Sequence, residues 1–448
     1  MIELVLAADD CMTVRAELTG GDTERCVILY ASQTIRADGI IRLLAREIEW
    51  PAELDYSRKS LLEAELKPEF IARITKRSRR DGTALVFVHS HPGSEAPHFS
   101  SIDSEGEAHL SGFLSRRHPK LNHVSLVVSA GGVRARRIGT DEEIRIVSIG
   151  ANRQVLFDPT AGPYSISQVF DRQVRVLGSE GQAALQQLRI AIVGLGGTGS
   201  IVAQQIAHLG VKSFILVDPD ILEHSNLNRL ANAVPDDVGK PKVEIAARAI
   251  RALNKDAIVA TVQGDVIQAR IASRLLNADI IFGCTDSHGS RAVLQQISYQ
   301  YMIPCIDMGV AIAVTERRIS HIFGRVQMLA PGLACLTCSN LLDANEVRQD
   351  MMTAFERKAD PYIQGEREPA PAVMSLNGTV ASLAVSMLLS SITGLPIAAR
   401  HLIYNGISSS LRTARAVPKE SCYICSRSGA LARGDSWPLF AREDADAH

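Results

Sequence analysis

The sequence predicts two α/β domains in tandem: an N-terminal α+β domain and a C-terminal domain built on a doubly wound parallel sheet. Three observations predict this. The chain has 448 residues, more than one hydrophobic core usually serves. The second half repeats short apolar runs and amphipathic segments in βαβ order, the rhythm of a parallel sheet covered on both faces. Each half also carries its own set of chemistry-bearing residues.

In the first half, residues 25–31 read as a strand, 40–49 as a helix and 84–89 as a buried strand. The runs 124–129 and 133–138 flank Gly131-Gly132 and read as a hairpin. Residues 158–163, Asp-Pro-Thr-Ala-Gly-Pro, read as a linker. In the second half, strands are expected at 189–193, 213–217, 258–262, 280–282 and 305–308. Helices are expected at 200–209 and 242–253, and the polar stretch 341–368 reads as a long loop or lid. The domains are placed at 1–157 and 166–430, with a tail at 431–448 that frays after Gly429.

Composition narrows the function classes. Hydrophobic residues make up 46% and charged residues 22%, an ordinary globular balance. Lys plus Arg total 48 against 49 Asp plus Glu, so no bulk field steers the chain to nucleic acid or an anionic membrane. The N-terminus lacks a basic region and soon meets Asp9-Asp10, which is not a secretory signal. A cytoplasmic protein is expected. Residues 369–399 carry no charge, but Pro371, Asn377, Gly378, Gly394 and Pro396 interrupt them. A buried core helix over 379–392 is expected, not a membrane span. Four of the eight cysteines form two Cys-x-x-Cys pairs, Cys335/Cys338 and Cys422/Cys425. Far apart in sequence, they read as a closed, structural Cys₄ zinc site.

The first constellation is hydrolytic. A buried strand ends in His89-Ser-His91-Pro92, followed by Ser100-Ser-Ile-Asp103. A catalytic zinc takes three protein ligands and leaves one position open; His89, His91 and Asp103 supply such a set. The pattern resembles the JAB/JAMM (MPN-type) zinc isopeptidases, although the His91–Ser100 interval is one residue longer than usual there, leaving Ser101 as an alternative to Ser100. His98 is a rival ligand. The family's early glutamate falls on Glu24 in Glu-Arg-Cys-Val-Ile-Leu, where Val27 replaces a glycine; Glu47, Glu49 and Glu53 are alternatives. The resemblance implies Glu24 as general base and Ser100 as oxyanion donor. It also implies an amide substrate following the C-terminal glycine of a ubiquitin-like protein.

The second constellation is a nucleotide site. Gly194-Leu-Gly196-Gly197-Thr-Gly199 follows a strand and opens a helix, so its backbone can approach phosphate at a helix N-terminus. Asp218, ending the next strand, suits a ribose hydroxyl. Asp220, Asn226, Arg229, Lys242 and Asp286 follow, and Arg172 precedes the fold. Hydride transfer has no need of these charges; attack of a carboxylate on ATP between its α and β phosphates does. In order and spacing this resembles the ThiF/MoeB and ubiquitin-activating superfamily from Phe170 to Cys425. The resemblance implies that Asn226, Arg229 and Lys242 contact phosphates and that Asp286 places Mg²⁺. Asp220 would join the metal or polar network. Arg172 would reach across a homodimer interface into the partner's site. Relatives often carry a catalytic cysteine in the loop after the first Cys-x-x-Cys, but residues 339–376 contain none. Cys284 and Cys305 read as core residues and Ser375 as a hydroxyl substitute. The expected function joins ATP-dependent activation of a ubiquitin-like protein to zinc-dependent trimming or deconjugation, with a conjugating enzyme as a further partner. Sulfur-carrier processing is the alternative, and a non-catalytic scaffold binding a ubiquitin-like protein is a third.

Overall fold

The computed structural model describes residues 1–61, 63–93, 96–360 and 371–443. It divides into two compact units. One comprises residues 1–162, 300–302 and 426–438; the other comprises 163–299, 303–425 and the chain from Leu439 onward.

The first unit is built on an eight-stranded mixed sheet. Its spatial order is Arg153–Phe157, Arg145–Ile149, Ile2–Ala7, Ile41–Glu49, Cys26–Ile35, Ala84–Ser90, Val124–Ser129 and Gly132–Arg137. Residues alternate between its faces, as pleating requires. Leu29, Val86 and Leu126 join one apolar cluster with Val14 and Leu18 of helix Ala8–Thr19. Ile28, Tyr30 and Leu85 join another with Phe70 and Ile74 of helix Pro68–Asp81 and Leu114 of helix Ser101–Arg117. Helices therefore cover both faces.

Two expectations are corrected here. Residues 41–49 form a strand, not a helix, pairing parallel with Ile2–Ala7 and antiparallel with Cys26–Ile35. Leu43 and Leu44 are both fully buried, and Arg42 is buried in an ion pair with Glu3 at 3.0 Å. With both faces covered, the alternation that marks a strand disappears. The described residues just beyond Gly429 are also packed. Ala430, Leu431 and Ala432 are buried, and Gly434 lies against Leu44.

The second unit carries another eight-stranded sheet, in the order Ile258–Gln263, Ser213–Asp218, Arg189–Val193, Ile280–Gly283, Cys305–Thr315, Arg318–Leu329, His401–Asn405 and Ser410–Thr413. The first five strands are parallel and the last three antiparallel. Helix Gly197–His208 follows the central strand, and Lys242–Leu253 the next. Met374–Thr393 is, among the described residues, the helix long and apolar enough to cross a membrane. It packs instead on Gly197–His208 and two sheet strands, as a core helix. The stretch 341–368 is not all loop: it holds helices Ala344–Met351 and Ala354–Ala359, while 361–370 fall outside the described residues.

Candidate active sites

The C-terminal ends of the parallel strands surround a cavity of about 760 Å³, the size of a small-molecule site and the place where open parallel sheets bind ligands. Gly194, Gly196, Gly197, Asp218, Asp220, Asn226, Arg229, Lys242 and Asp286 all line it. Gly199 does not. A Cβ there would lie 1.8 Å from the Gly194 carbonyl oxygen, so this glycine lets the helix sit directly against the loop. Gly194 itself has φ +86°, and its amide donates to the Val217 carbonyl at 2.8 Å. One Asp218 oxygen accepts from the Leu195 N–H at 2.5 Å and the other from Asp220 N–H at 2.8 Å. Burial pushes the Asp218 carboxyl up, against the lowering influence of Lys242 and these amides. Lys242, nearly buried, pairs with Asp220 at 2.6 Å. Asp286 is exposed at the cavity wall.

Arg172 is not among the lining residues. It sits exposed at the start of helix Asp171–Gln187. Phe170 fixes this segment by packing on Gly210, and Gln173 donates to the His208 carbonyl at 3.0 Å. Val169 and Val176 face solvent beside it. Ser375 is exposed and outside the lining. Cys305 is core, as expected, whereas Cys284 lines the cavity; burial pushes both thiols well up. Among the lining residues given no role from the sequence are Arg291 and Asn377.

The four sulfurs of Cys335, Cys338, Cys422 and Cys425 lie within 4.8 Å of one another, with Cys335–Cys422 and Cys338–Cys425 each at 3.6 Å. That is far beyond a disulfide bond and close to the sulfur separation around tetrahedral zinc. The amides of Lys419 and Ile424 donate to Cys338 and Cys422. This donor set fits zinc.

In the first unit, His89 lies near the end of strand Ala84–Ser90, His91 directly follows it, and Asp103 lies in the first turn of helix Ser101–Arg117. Their ligand atoms also lie within 4.8 Å of one another. His89 Nε2 is 3.2 Å from Asp103, and His91 Nε2 is 3.4 Å from Asp103 and 3.7 Å from Glu24. Apart from this approach to Asp103, buried His89 Nε2 has no hydrogen-bond partner among the described residues. Burial would raise the Asp103 pKa, but the two imidazoles hold it well below the carboxylate range; burial pushes Glu24 up. The rival glutamates are committed elsewhere: Glu47 to Arg77, Glu49 to Tyr30 at 2.6 Å and Glu53 to Lys59 at 2.5 Å. His98 stacks edge-on against His91 but stays outside the ligand group. Ser100 caps its helix, accepting from Asp103 N–H at 3.1 Å while its hydroxyl donates to the Asp103 carboxylate at 2.8 Å.

Residues 170–424, more than half of the chain, match the ThiF family. The chain belongs to the ThiF family. Its second unit is a ThiF/MoeB-like adenylyltransferase domain. The SAMP-activating enzyme E1 of Haloferax volcanii is 27% identical over 56% of this chain and 86% of its own length. The molybdopterin-synthase adenylyltransferase of Escherichia coli is 27% identical over 57% and 95%. A crystal structure of E. coli MccB with MccA-N7isoASN covers 58% of this chain and 76% of its own, with a TM-score of 0.47 and 18% identity. Within the ThiF domain, the residues gathered at the cavity come from segments spread between Gly194 and Asn377.

Proposed function

We propose that the ThiF domain adenylates the C-terminal carboxylate of a ubiquitin-like or sulfur-carrier protein. The observation that carries this is the convergence of Arg229, Lys242 and Asp286 on the cavity that also holds the glycine loop and Asp218. The glycine loop and helix N-terminus seat the phosphates, Asp218 takes the ribose, and Asn226, Arg229 and Lys242 meet the negative charge. Asp220 orients the Lys242 ammonium. The substrate carboxylate attacks the α-phosphorus, its new P–O bond forming as the α–β bridge breaks and pyrophosphate leaves with the electron pair. Mg²⁺ supplies charge neutralisation when bound, and Asp286 would hold it. Arg172, solvent-facing beside Val169 and Val176, would complete the site of a second copy in a homodimer.

We propose for the first unit amide hydrolysis after the terminal glycine of the same class of protein, as in JAB/JAMM isopeptidases. His89, His91 and Asp103 would hold zinc, which supplies Lewis acidity when bound. Glu24, whose carboxyl is buried and raised, would accept a proton from the attacking water and return it to the leaving amine. Ser100 would turn its hydroxyl from Asp103 toward the developing oxyanion. The pairing of a hydrolase with an activator favours a cytoplasmic conjugation system, with a conjugating enzyme downstream.

Sulfur-carrier activation is the second reading, favoured by the named activity of the molybdopterin-synthase relative and by the burial of Cys284. Incubation with MgATP and a partner protein ending in glycine tests both. Pyrophosphate exchange without an adduct cleaved by reductant supports release at the adenylate. A reductant-labile adduct lost in Cys284→Ala would refute it.

A further inference from the structure

Helix Met374–Thr393 begins at the nucleotide cavity. Pro371 and Ala372, just before it, and Asn377, in its first turn, line the wall. Among the described residues no side chain caps this N-terminus, which leaves its first amides free for an acceptor in the cavity. The helix packs on Gly197–His208, whose own N-terminus opens on the same cavity. Two positive helix ends thus converge there.

Asn377 sits between them. It is 6% exposed, and among the described residues its carboxamide has no hydrogen-bond partner. A Cβ on Gly197 would lie 2.1 Å from Asn377 Nδ2 and 3.7 Å from Arg229 Cδ. The amide therefore occupies the space directly over the glycine loop, beside an arginine. The carboxamide lines the cavity, and an unpaired amide donor facing a cavity at two helix N-termini is complementary to an anion. In the chargeless run around it, Asn377 is a polar residue for which the core supplies no partner.

We infer that Asn377, together with the first turn of Met374–Thr393, holds the phosphate chain of the bound nucleotide, the carboxamide donating to a phosphate oxygen. This rests on the adenylation reading and adds to it a donor from beyond the 344–359 helices.

The test is calorimetric binding of ATP and of adenosine to the full chain, compared with Asn377→Ala and with near-isosteric Asn377→Asp, each checked by thermal melting. Loss of a hydrogen bond to a charged group weakens ATP binding about ten- to hundredfold in Asn377→Ala. Asn377→Asp, which sets a carboxylate against the polyanion, weakens it further. Adenosine binding stays unchanged in both. ATP binding at the wild-type level in either variant overturns the inference, as does an equal loss for ATP and adenosine. A wild-type chain that binds neither ligand overturns the adenylation reading along with it, whereas normal wild-type ATP binding with unaffected variants removes the role of Asn377 alone.

Discussion

The contact between helix Gly197–His208 and the glycine loop can be broken with one methyl group. Gly199→Ala would put a Cβ 1.8 Å from the Gly194 carbonyl oxygen and 2.9 Å from its carbonyl carbon. Both are backbone atoms, so no side chain can rotate away. The contact is roughly 1.5–2 Å short of an ordinary one, and the helix must back off by a comparable distance. Gly194 cannot retreat in the other direction, because its own Cα face is closed by the Cys284 carbonyl, 2.7 Å from where a Cβ would be. Overpacking of this kind costs about 1–3 kcal/mol, or roughly 3–10 °C in melting temperature for a domain of this size. The larger effect is functional. Misplacing a positioning element by about 1 Å can cost on the order of 100-fold, and here the element is the helix end proposed to meet phosphate. Calorimetric ATP binding and pyrophosphate exchange should both fall by about that factor, while amide cleavage by the first unit is retained. Unchanged ATP affinity in a folded Gly199→Ala protein would refute the assignment of this helix end to phosphate.

Other consequences are as direct. The purified chain should hold about two zinc ions, with a chelator removing the open hydrolytic ion before the closed Cys₄ one; Glu24→Ala should keep both and lose about 10²–10⁴-fold in cleavage, and full activity would move the base to another residue. Mixing Arg172→Ala with Asp286→Ala chains should restore part of the exchange activity through one intact composite site; no rescue despite subunit exchange would put Arg172 outside its partner's site. His123 accepts from the Leu85 N–H at 3.0 Å on the strand that carries His89 and His91, and burial, aided by His118, pushes it down to about 4. Its folded pKa lies below the unfolded value, so the unfolded chain takes the proton first: stability is full above about pH 6.5 and falls by up to about 3 kcal/mol toward pH 4. His123→Asn should flatten that part of the melting profile, and identical pH profiles for the two proteins would show that His123 stays charged or is exposed.

The nucleotide site was legible because its residues follow local rules. A glycine turn between strand and helix, and an acid at the next strand's end, are set by backbone geometry within about 25 residues. His89, His91 and Asp103 were legible for a similar reason: a strand end and a helix start fix them. What escaped depends on burial by distant parts of the chain. The strand Ile41–Glu49 is covered on both faces, so its run of apolar residues carries no period. Asn377 looks like an interruption in a core helix until the cavity around it is seen. The helices at 344–359 had readable signals, Asp343 accepting from Asn345 and Glu346 amides and Thr353 with Glu356 forming a capping box, but their polar composition concealed them. Arg172, assigned from the sequence to the site of a second copy, is exposed and lies outside the lining of its own chain's cavity, so a single chain cannot display the role proposed for it.

The proposed reaction at the ThiF cavity couples a protein carboxylate to AMP. Exchange of labelled pyrophosphate into ATP by the full chain, with and without a ubiquitin-like protein ending in a free glycine carboxylate, measures that step alone. Exchange should require the partner, disappear when the partner's terminal carboxylate is amidated, and be lost in Lys242→Ala and Asp286→Ala. Partner-dependent release of ADP and phosphate in place of pyrophosphate, or exchange that survives amidation of the partner, would contradict it.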